Sequence, residues 1–357
     1  MTVTETLSFS EGKQLIHKLE NEHALSREEW IRLIEGQSPE LSEYLFSRAQ
    51  EIRIRHYGHK IYIRGLIEFT NYCKNDCIYC GIRKSNPNAD RYRLTKEDIL
   101  ASCEEGYRLG FRTFVLQGGE DGYFTDERMT DIISSIRSRW PDCAITLSLG
   151  ERSEESYRMM KEAGADRYLL RHETYDETHY GMLHPPSLSA VHRRNCLHSL
   201  KKLGYQTGTG FMVGSPYQTP ENLADDMLFL TKFQPHMVGI GPFIPHHDTP
   251  FAEQPAGTLE QTVYLLGLIR LLLPKVLLPA TTALGTISPT GREAGILAGA
   301  NVIMPNLSPP RVREKYLLYD NKLCTGDEAA ESLHTLDQNM RKIGYHLCVS
   351  RGDPSVY

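Results

Sequence analysis

Apolar residues recur at three- and four-residue spacing from the N-terminus to about Tyr57, through Leu15, Ile16 and Leu19, then Trp30, Leu33 and Ile34, then Leu41, Leu45 and Ala49, and predict a run of helices. Ser26 followed by Glu29 reads as a capping box that opens the second of them. From Ile61 the pattern changes to short apolar or β-branched runs alternating with amphipathic helices. The predicted strands are Ile61–Phe69, Thr113–Leu116, Ala144–Leu149, Arg167–Leu170, Thr207–Val213, Met237–Ile240, Leu277–Thr281 and Asn301–Met304. Between them lie helical patterns at Thr95–Leu109, Asp126–Arg139, Ser153–Ala163, Ala190–Leu203, Pro220–Lys232, Leu259–Leu272 and Pro289–Ala298. Gly110, Gly164, Gly204 and Gly299 stand where a left-handed helix stop favours glycine. Eight consecutive βαβ-type units require parallel strands joined by crossovers, and predict a closed (βα)8 TIM barrel in the α/β class. A six-strand partial barrel with two irregular last strands is the alternative.

Small or hydroxyl residues at Ser148, Thr207, Gly208, Thr209, Gly210, Gly239, Gly241, Thr281 and Thr282 replace the bulky side chains that fill an ordinary barrel of this kind, which suggests a lumen with space in it. Glycines that only mark bulges or close contacts are the competing explanation. Val312–Leu318 and Asp327–Ile343 look helical and suited to closing one end. The expected organisation is an N-terminal helical extension over 1–58, a barrel over 59–306 and a closing segment over 307–357.

Composition narrows the function. The 357 residues hold 40 Lys or Arg against 45 Asp or Glu, a net charge of −5, which argues against a nucleic-acid-binding surface. No stretch has the uninterrupted apolar length of a membrane span, and the N-terminal residues show no export signal, so a cytoplasmic protein is expected. Eight cysteines in a chain this long are too sparse for a disulfide scaffold and point to free thiols or metal ligands.

Three of those cysteines, Cys73, Cys77 and Cys80, lie within eight residues at C-x3-C-x2-C spacing just past the first predicted strand. Chance placement of such a triplet among eight cysteines has an expectation of about 0.004. Short spacers let successive thiolates converge on one soft metal centre while backbone amides donate to the sulfurs. A structural zinc site wants a fourth ligand, and paired C-x2-C modules are missing. A 4Fe-4S cluster also has four corners, so three thiolates leave one iron open for a ligand that takes part in chemistry.

With Tyr79 before its third cysteine, this loop resembles that of the radical S-adenosylmethionine enzymes. The resemblance implies that the open iron chelates S-adenosylmethionine and that reductive cleavage yields a 5′-deoxyadenosyl radical. Segments Gln117–Asp121, Ile145–Glu151, Gly164–Thr174, Met237–His246, Pro279–Ile287 and Gly299–Asn306 further resemble the HydE family of FeFe-hydrogenase maturases, which shares a subgroup with biotin synthase and methylornithine synthase. That likeness runs from about Glu51 to Cys324.

It implies that Cys73, Cys77 and Cys80 hold the cluster, that Tyr79, Gly119, Glu120, Ser148, Glu173 and Arg193 contact S-adenosylmethionine, and that Arg171, Met237, Thr281, Thr282 and Met304 line the substrate site. Tyr316 and Tyr319 match family tyrosines after the last strand. The implied reaction takes a cysteine-bound Fe(CO)2(CN) precursor and processes it by radical attack on its sulfur toward a di-iron product. Implied partners are the other hydrogenase maturases, the scaffold that receives the product, and a reductant such as ferredoxin or flavodoxin, with no nucleic acid or membrane.

Two positions depart from the family. Cys324 remains of a three-cysteine accessory site, but Ser332 and Thr335 stand 8 and 11 residues further on, so the accessory cluster is expected to be absent. Gly118 replaces a serine. Cys103, Cys143, Cys196 and Cys348 are expected to be structural, and the adjacent His246 and His247 to point apart. An amino-acid mutase, a biotin synthase-like enzyme and a non-catalytic iron-sulfur scaffold are the competing functions.

Overall fold

The computed structural model describes residues 7–324 and 330–355. Three helices open the chain: α1 Phe9–Glu22, α2 Arg27–Glu35 and α3 Pro39–Tyr57. Ser8, Ser26 and Ser38 each accept a backbone N–H of the first turn, and the capping box at Ser26 and Glu29 is complete. Their apolar faces pack on two later helices, Pro220–Phe233 and Leu259–Leu272, through Leu19, Trp30, Leu33 and Leu45. That contact explains why residues Thr262–Leu272 are buried all round, with the barrel on one side and α3 on the other.

The strands are β1 Lys60–Ile63, β2 Gly65–Thr70, β3 Thr113–Gly118, β4 Ala144–Ser148, β5 Arg167–Leu169, β6 Gln206–Thr209, β7 Met212–Val213, β8 Met237–Val238, β9 Gly241–Pro242, β10 Val302–Ile303 and β11 His346–Cys348. Parallel pairing runs β2-β3-β4-β5-β6-β8, and parallel bridges Met237 to Leu277, Pro279 to Val302 and Leu66 to Asn306 carry the circuit back to β2. The barrel therefore closes with eight parallel staves, of which the seventh is reduced to Leu277 and Pro279. All four expected glycine stops have positive φ, from 78° to 120°.

Several expectations are corrected. Thr281 and Thr282 do not extend the seventh strand: Thr281 caps a short helix, Thr282–Ile287. Of the small lumen residues, Gly208, Gly210 and Gly241 are there for close packing, because a Cβ at each would meet Leu169 Cδ1 at 2.9 Å, the Gly239 carbonyl at 1.9 Å or Thr281 Oγ1 at 2.9 Å. Gly239 alone of these glycines has no neighbour closer than 3.8 Å. The helix expected over Val312–Leu318 shrinks to Pro310–Arg313. Its physical reason is local: the Lys315 and Leu318 carbonyls accept from Asn71 Nδ2 at 2.7 Å and the Gly81 N–H at 2.9 Å instead of continuing a helix. Within the Asp327–Ile343 prediction, residues 325–329 lie outside the described part, and the helix is Leu333–Lys342.

Strand β11 and helix Glu177–Leu183 had no expectation. β11 pairs in parallel with β1, and the tail beyond it stops the N-terminal mouth of the barrel. The Arg351 carbonyl accepts from Thr113 Oγ1 at 2.8 Å and Arg167 at 2.7 Å, while the Asp353 carboxylate accepts from Arg167 at 2.7 Å and Gln206 at 2.9 Å. Above this stopper is a cavity of about 10 Å³, lined in part by Arg64, Arg167 and Met237, enough for one water. Among the described residues no helix is long and apolar enough to cross a membrane.

Burial opposes ionisation of Asp353, yet hydrogen bonds from Arg167 and Gln206 hold its carboxyl down to about 2 from 3.8. A depressed carboxyl stabilises the fold above its unfolded pKa and loses that contribution as pH falls through the folded value. Asp353→Asn is therefore expected to lower stability by about 1 kcal/mol at pH 7, discounted for partial exposure. In urea titrations the gap between variant and parent should close between about pH 4 and pH 2. A gap independent of pH over that range would show that Arg167 does not depend on this charge.

Candidate active site

The three cysteines lie on the loop that leaves β2 at the C-terminal mouth, the end where barrel enzymes carry chemistry. The loop is laced to the turn after β3: Gly119 N–H donates to Thr70 O at 3.2 Å, Lys74 N–H to Glu120 O at 2.9 Å and Glu120 N–H to Cys73 Sγ at 3.4 Å. Gly119 is required here by space, since a Cβ would come within 2.2 Å of Tyr72 O and 2.8 Å of Cys73 Cβ. At Gly118 a Cβ would meet Thr70 Cγ2 at 2.8 Å, so the family serine does not fit this backbone without movement.

Burial raises the Cys73 and Cys77 thiols and pushes Cys80 up to about 12, opposed by backbone amides of Asn75 and Glu120 at Cys73 and of Ile82 at Cys80. Thiols so placed hold their protons until a metal displaces them. All three are free and half-buried, on one short loop. Backbone amides aimed at sulfur complete a donor set fit for an iron-sulfur centre.

A charged group surrounds this loop. Glu120, Glu173 and Arg193 are each nine-tenths buried or more, and Glu151 is nearly so. Glu151 N–H donates to Glu120 Oε1 at 3.0 Å, and a Cβ at Gly150, φ 73°, would strike that carboxylate. Arg193 Nε lies 2.9 Å from Glu151 Oε1 and 3.2 Å from the Tyr180 hydroxyl, and Nη2 lies 4.0 Å from Glu120 Oε1. Burial raises the Glu151 carboxyl, and the Arg193 charge pulls it back. Glu173 takes a left-handed φ of 68°, a strain that a non-glycine residue carries only when its surroundings enforce it. The enforcement is visible: its N–H donates to Gly210 O at 3.1 Å, and the neighbouring His172 is clamped between Thr209 Oγ1 at 2.8 Å and Asp226 at 3.1 Å. Arg171 Nη2 lies 3.3 Å from Glu173 Oε2 and Lys74 Nζ 3.2 Å from Glu120 Oε2, while Arg171 Nε and Thr281 Oγ1 are buried without hydrogen-bond partners, a charged cradle with donors left over for a polar ligand.

A family model described as the radical SAM superfamily matches residues 67–230. The curated [FeFe] hydrogenase maturase subunit HydE of Thermotoga maritima is 46% identical over 313 residues, covering 88% of this chain and 89% of the relative. The chain belongs to the HydE family of radical S-adenosylmethionine enzymes. Its members use a 4Fe-4S cluster and S-adenosylmethionine, and the thiol loop and charged cradle fit both. More distantly, 3-methylornithine synthase of Methanosarcina acetivorans is 27% identical over 87% of each chain. A crystal structure of methylornithine synthase superposes with a TM-score of 0.82 at 26% identity, covering 94% of this chain and 97% of that one.

Most expected positions of this HydE-family site assemble at one mouth. Tyr79 is held by its hydroxyl against His184 Nε2 at 3.3 Å, and burial pushes His184 down to about 3. Ser148 stands beside Gln117 in the β3–β4 ladder. Arg193 pairs with Glu151 rather than standing free, a partner with no expected role. Met237 is elsewhere: its sulfur lies 2.8 Å from Arg64 Nη1 at the base of the lumen, and Met304 packs with it against Leu277 and Val302. Tyr316 is buried near Glu68 and Cys80. Cys103, Cys143 and Cys196 are buried, while Cys348 is half-buried on β11. His246 and His247 do not point apart: their rings stack at 4.5 Å, and His247 Nδ1 lies 2.6 Å from Asp320, clasping the closing segment to the loop after β9.

Gly119→Ala should displace the cysteine loop, costing about 1–3 kcal/mol and most of the iron retained after anaerobic reconstitution. Gly122→Ala, where a Cβ has nothing within 4 Å, serves as the neutral control. Equal iron content in both variants would show that the close approach is dispensable.

Proposed function

We propose that this chain processes a mononuclear, cysteine-bound Fe(CO)2(CN) precursor in assembly of the FeFe-hydrogenase H-cluster. The observation that carries this reading is the juxtaposition of the three-thiol loop with the Arg171–Glu173 ion pair, 3.3 Å long, at the mouth of a closed barrel. The 46% identity to a HydE supports it further. In this reading Cys73, Cys77 and Cys80 hold one 4Fe-4S cluster, and Cys324 holds none. Bound cluster and S-adenosylmethionine together supply a 5′-deoxyadenosyl radical. The chain's own part is to orient and to exclude water. Glu173 and Glu120 accept from ammonium or ribose hydroxyl donors, Arg193 and Ser148 complete the cradle, and Gly119 lets the turn that carries Glu120 lie against Cys73. Arg171, Thr281 and Thr282 face the substrate, the first two with Nε and Oγ1 that lack hydrogen-bond partners, and Met304 and Met237 bound the space below. Partners would be the other maturases, the scaffold that receives the product and an electron donor of the ferredoxin or flavodoxin class.

An amino-acid mutase is the second reading, favoured by the superposition on methylornithine synthase. Activation of an apo-hydrogenase by this protein together with its sister maturases is the expected result, and turnover of lysine or dethiobiotin in its place would sink the maturase reading. Reconstituted protein should contain about four iron and four sulfide per chain, against six or eight with an accessory cluster. Ala at any of the three cysteines should remove both iron and 5′-deoxyadenosine release. Glu173→Gln should weaken S-adenosylmethionine binding about tenfold in calorimetry while leaving iron content unchanged. Unaltered affinity would remove Glu173 from the cofactor site.

A further inference from the structure

Four side chains stack outside the cysteine loop, aromatic and cationic in turn. The Arg93 guanidinium lies 3.8 Å from the Tyr72 ring centroid and 4.8 Å from that of Tyr123, and the Arg128 guanidinium lies 3.8 Å from the Tyr123 centroid. Both rings are exposed, so the stack belongs to the surface and not to the core. It is held rigidly. Asp121 accepts Arg93 through both carboxylate oxygens, at 2.6 and 2.9 Å, and is itself fixed by Thr70 Oγ1 at 2.8 Å and the Tyr123 N–H at 3.0 Å. Arg128 Nη1 donates to Tyr123 O at 2.6 Å. The Tyr72 carbonyl lies against Gly119, and Cys73 is the next residue along the chain.

Charge is sorted by depth at this face. The Asp121 and Glu120 side chains are 4% and 9% exposed, whereas their partners Arg93 and Lys74 are 35% and 63% exposed. Asp76 turns to Arg83 and Asp126 to Arg152, Glu127 hydrogen-bonds Thr125, and Arg128 stands exposed. A chain of net charge −5 thus shows a cationic, aromatic face beside its thiol loop. Tyr and Arg are the side chains that anchor protein interfaces, because they bury large areas and keep a polar or charged end for the partner. A protein is too large to enter the barrel, and electron transfer weakens steeply with distance, so a protein reductant has to be received outside, within reach of Cys73. We propose that Tyr72, Arg93, Tyr123 and Arg128, with Lys74, form the docking face for an acidic one-electron carrier protein. The inference rests on the reading of Cys73, Cys77 and Cys80 as cluster ligands and adds where the electron enters. One electron leaves the carrier, which is oxidised, the bound cluster gains it and is reduced, and no atom is exchanged. Three cations and two rings suit the small, transient interface of an electron-transfer encounter, steered by opposite charge.

The probe is oxidised flavodoxin, an acidic FMN protein, titrated by calorimetry onto the reconstituted enzyme at low and high salt. Binding should weaken as salt rises. Arg128→Glu and Tyr72→Ser should each weaken it about tenfold without changing iron content. Lys202→Glu, the same change of charge on the exposed end of helix Ala190–Lys202, should leave it as in the parent. With reduced flavodoxin as the sole donor, 5′-deoxyadenosine release should fall in the first two variants, while dithionite, which needs no docking face, drives it at the parent rate. Absence of flavodoxin binding by the parent, affinity indifferent to salt, or Arg128→Glu binding as tightly as Lys202→Glu would overturn the face. Arg128 lies far along the chain from the cysteines, so its variant decides the matter even if Tyr72→Ser loses iron. No release from the parent with dithionite would instead remove the cluster reading, and carrier binding is measured independently of it.

Discussion

The backbone of the cysteine loop touches the turn after β3 so closely that only glycine fits between them, and the rest of the mouth is arranged around that contact. A Cβ at Gly119 would sit 2.2 Å from the Tyr72 carbonyl, so the two backbones meet directly and exchange hydrogen bonds. That contact aims the Glu120 N–H at Cys73 and fixes the Glu120 carboxylate. The carboxylate in turn organises Glu151, and Glu151 holds Arg193. A chain of polar contacts thus links the cysteine loop to three strand ends, with little side-chain freedom left to any member.

The same group is under tension. Several carboxylates and one guanidinium are withdrawn from water, Glu173 is held at a left-handed φ, and unmet polar atoms face inward. Such features cost stability and persist where a ligand repays them. The cost is met elsewhere, in the apolar packing of α1–α3 on the outer helices and in the tail that stops the opposite mouth. Stability and chemistry are therefore divided between the two ends of the barrel, as this architecture favours. The carbonyls of Lys315 and Leu318 tie the closing segment to the cysteine loop, and the clasp between Asp320 and His247 ties it to the loop after β9.

Much was legible in the sequence. Short apolar or β-branched runs gave the strands and the 3.6-residue period gave the helices, because each stave is buried on both faces and each helix on one. Glycine stops and the C-x3-C-x2-C spacing are local signals, written in consecutive residues, and they depended on no distant contact. Glu68 left a weaker trace, as the one charge in an apolar strand, and Asp226 as a charge on the buried face of its helix.

Tertiary structure alone decided the rest, because those features are made by residues far apart in the chain. Nothing in the sequence pairs Glu68 with Lys322, Glu151 with Arg193 or Asp353 with Arg167, since the partners are 42 or more residues apart and charge carries no address. Nor could it show that Gly208 and Gly210 serve packing rather than open space, that Met237 sits at the base of the lumen, or that the carbonyls after Arg313 leave a helix to bind the cysteine loop. The sequence by itself determined the staves, the helices and the three-cysteine loop, through apolar runs, periodicity and spacing. Burial and closure of the barrel determined which charges meet, and so which site those elements build.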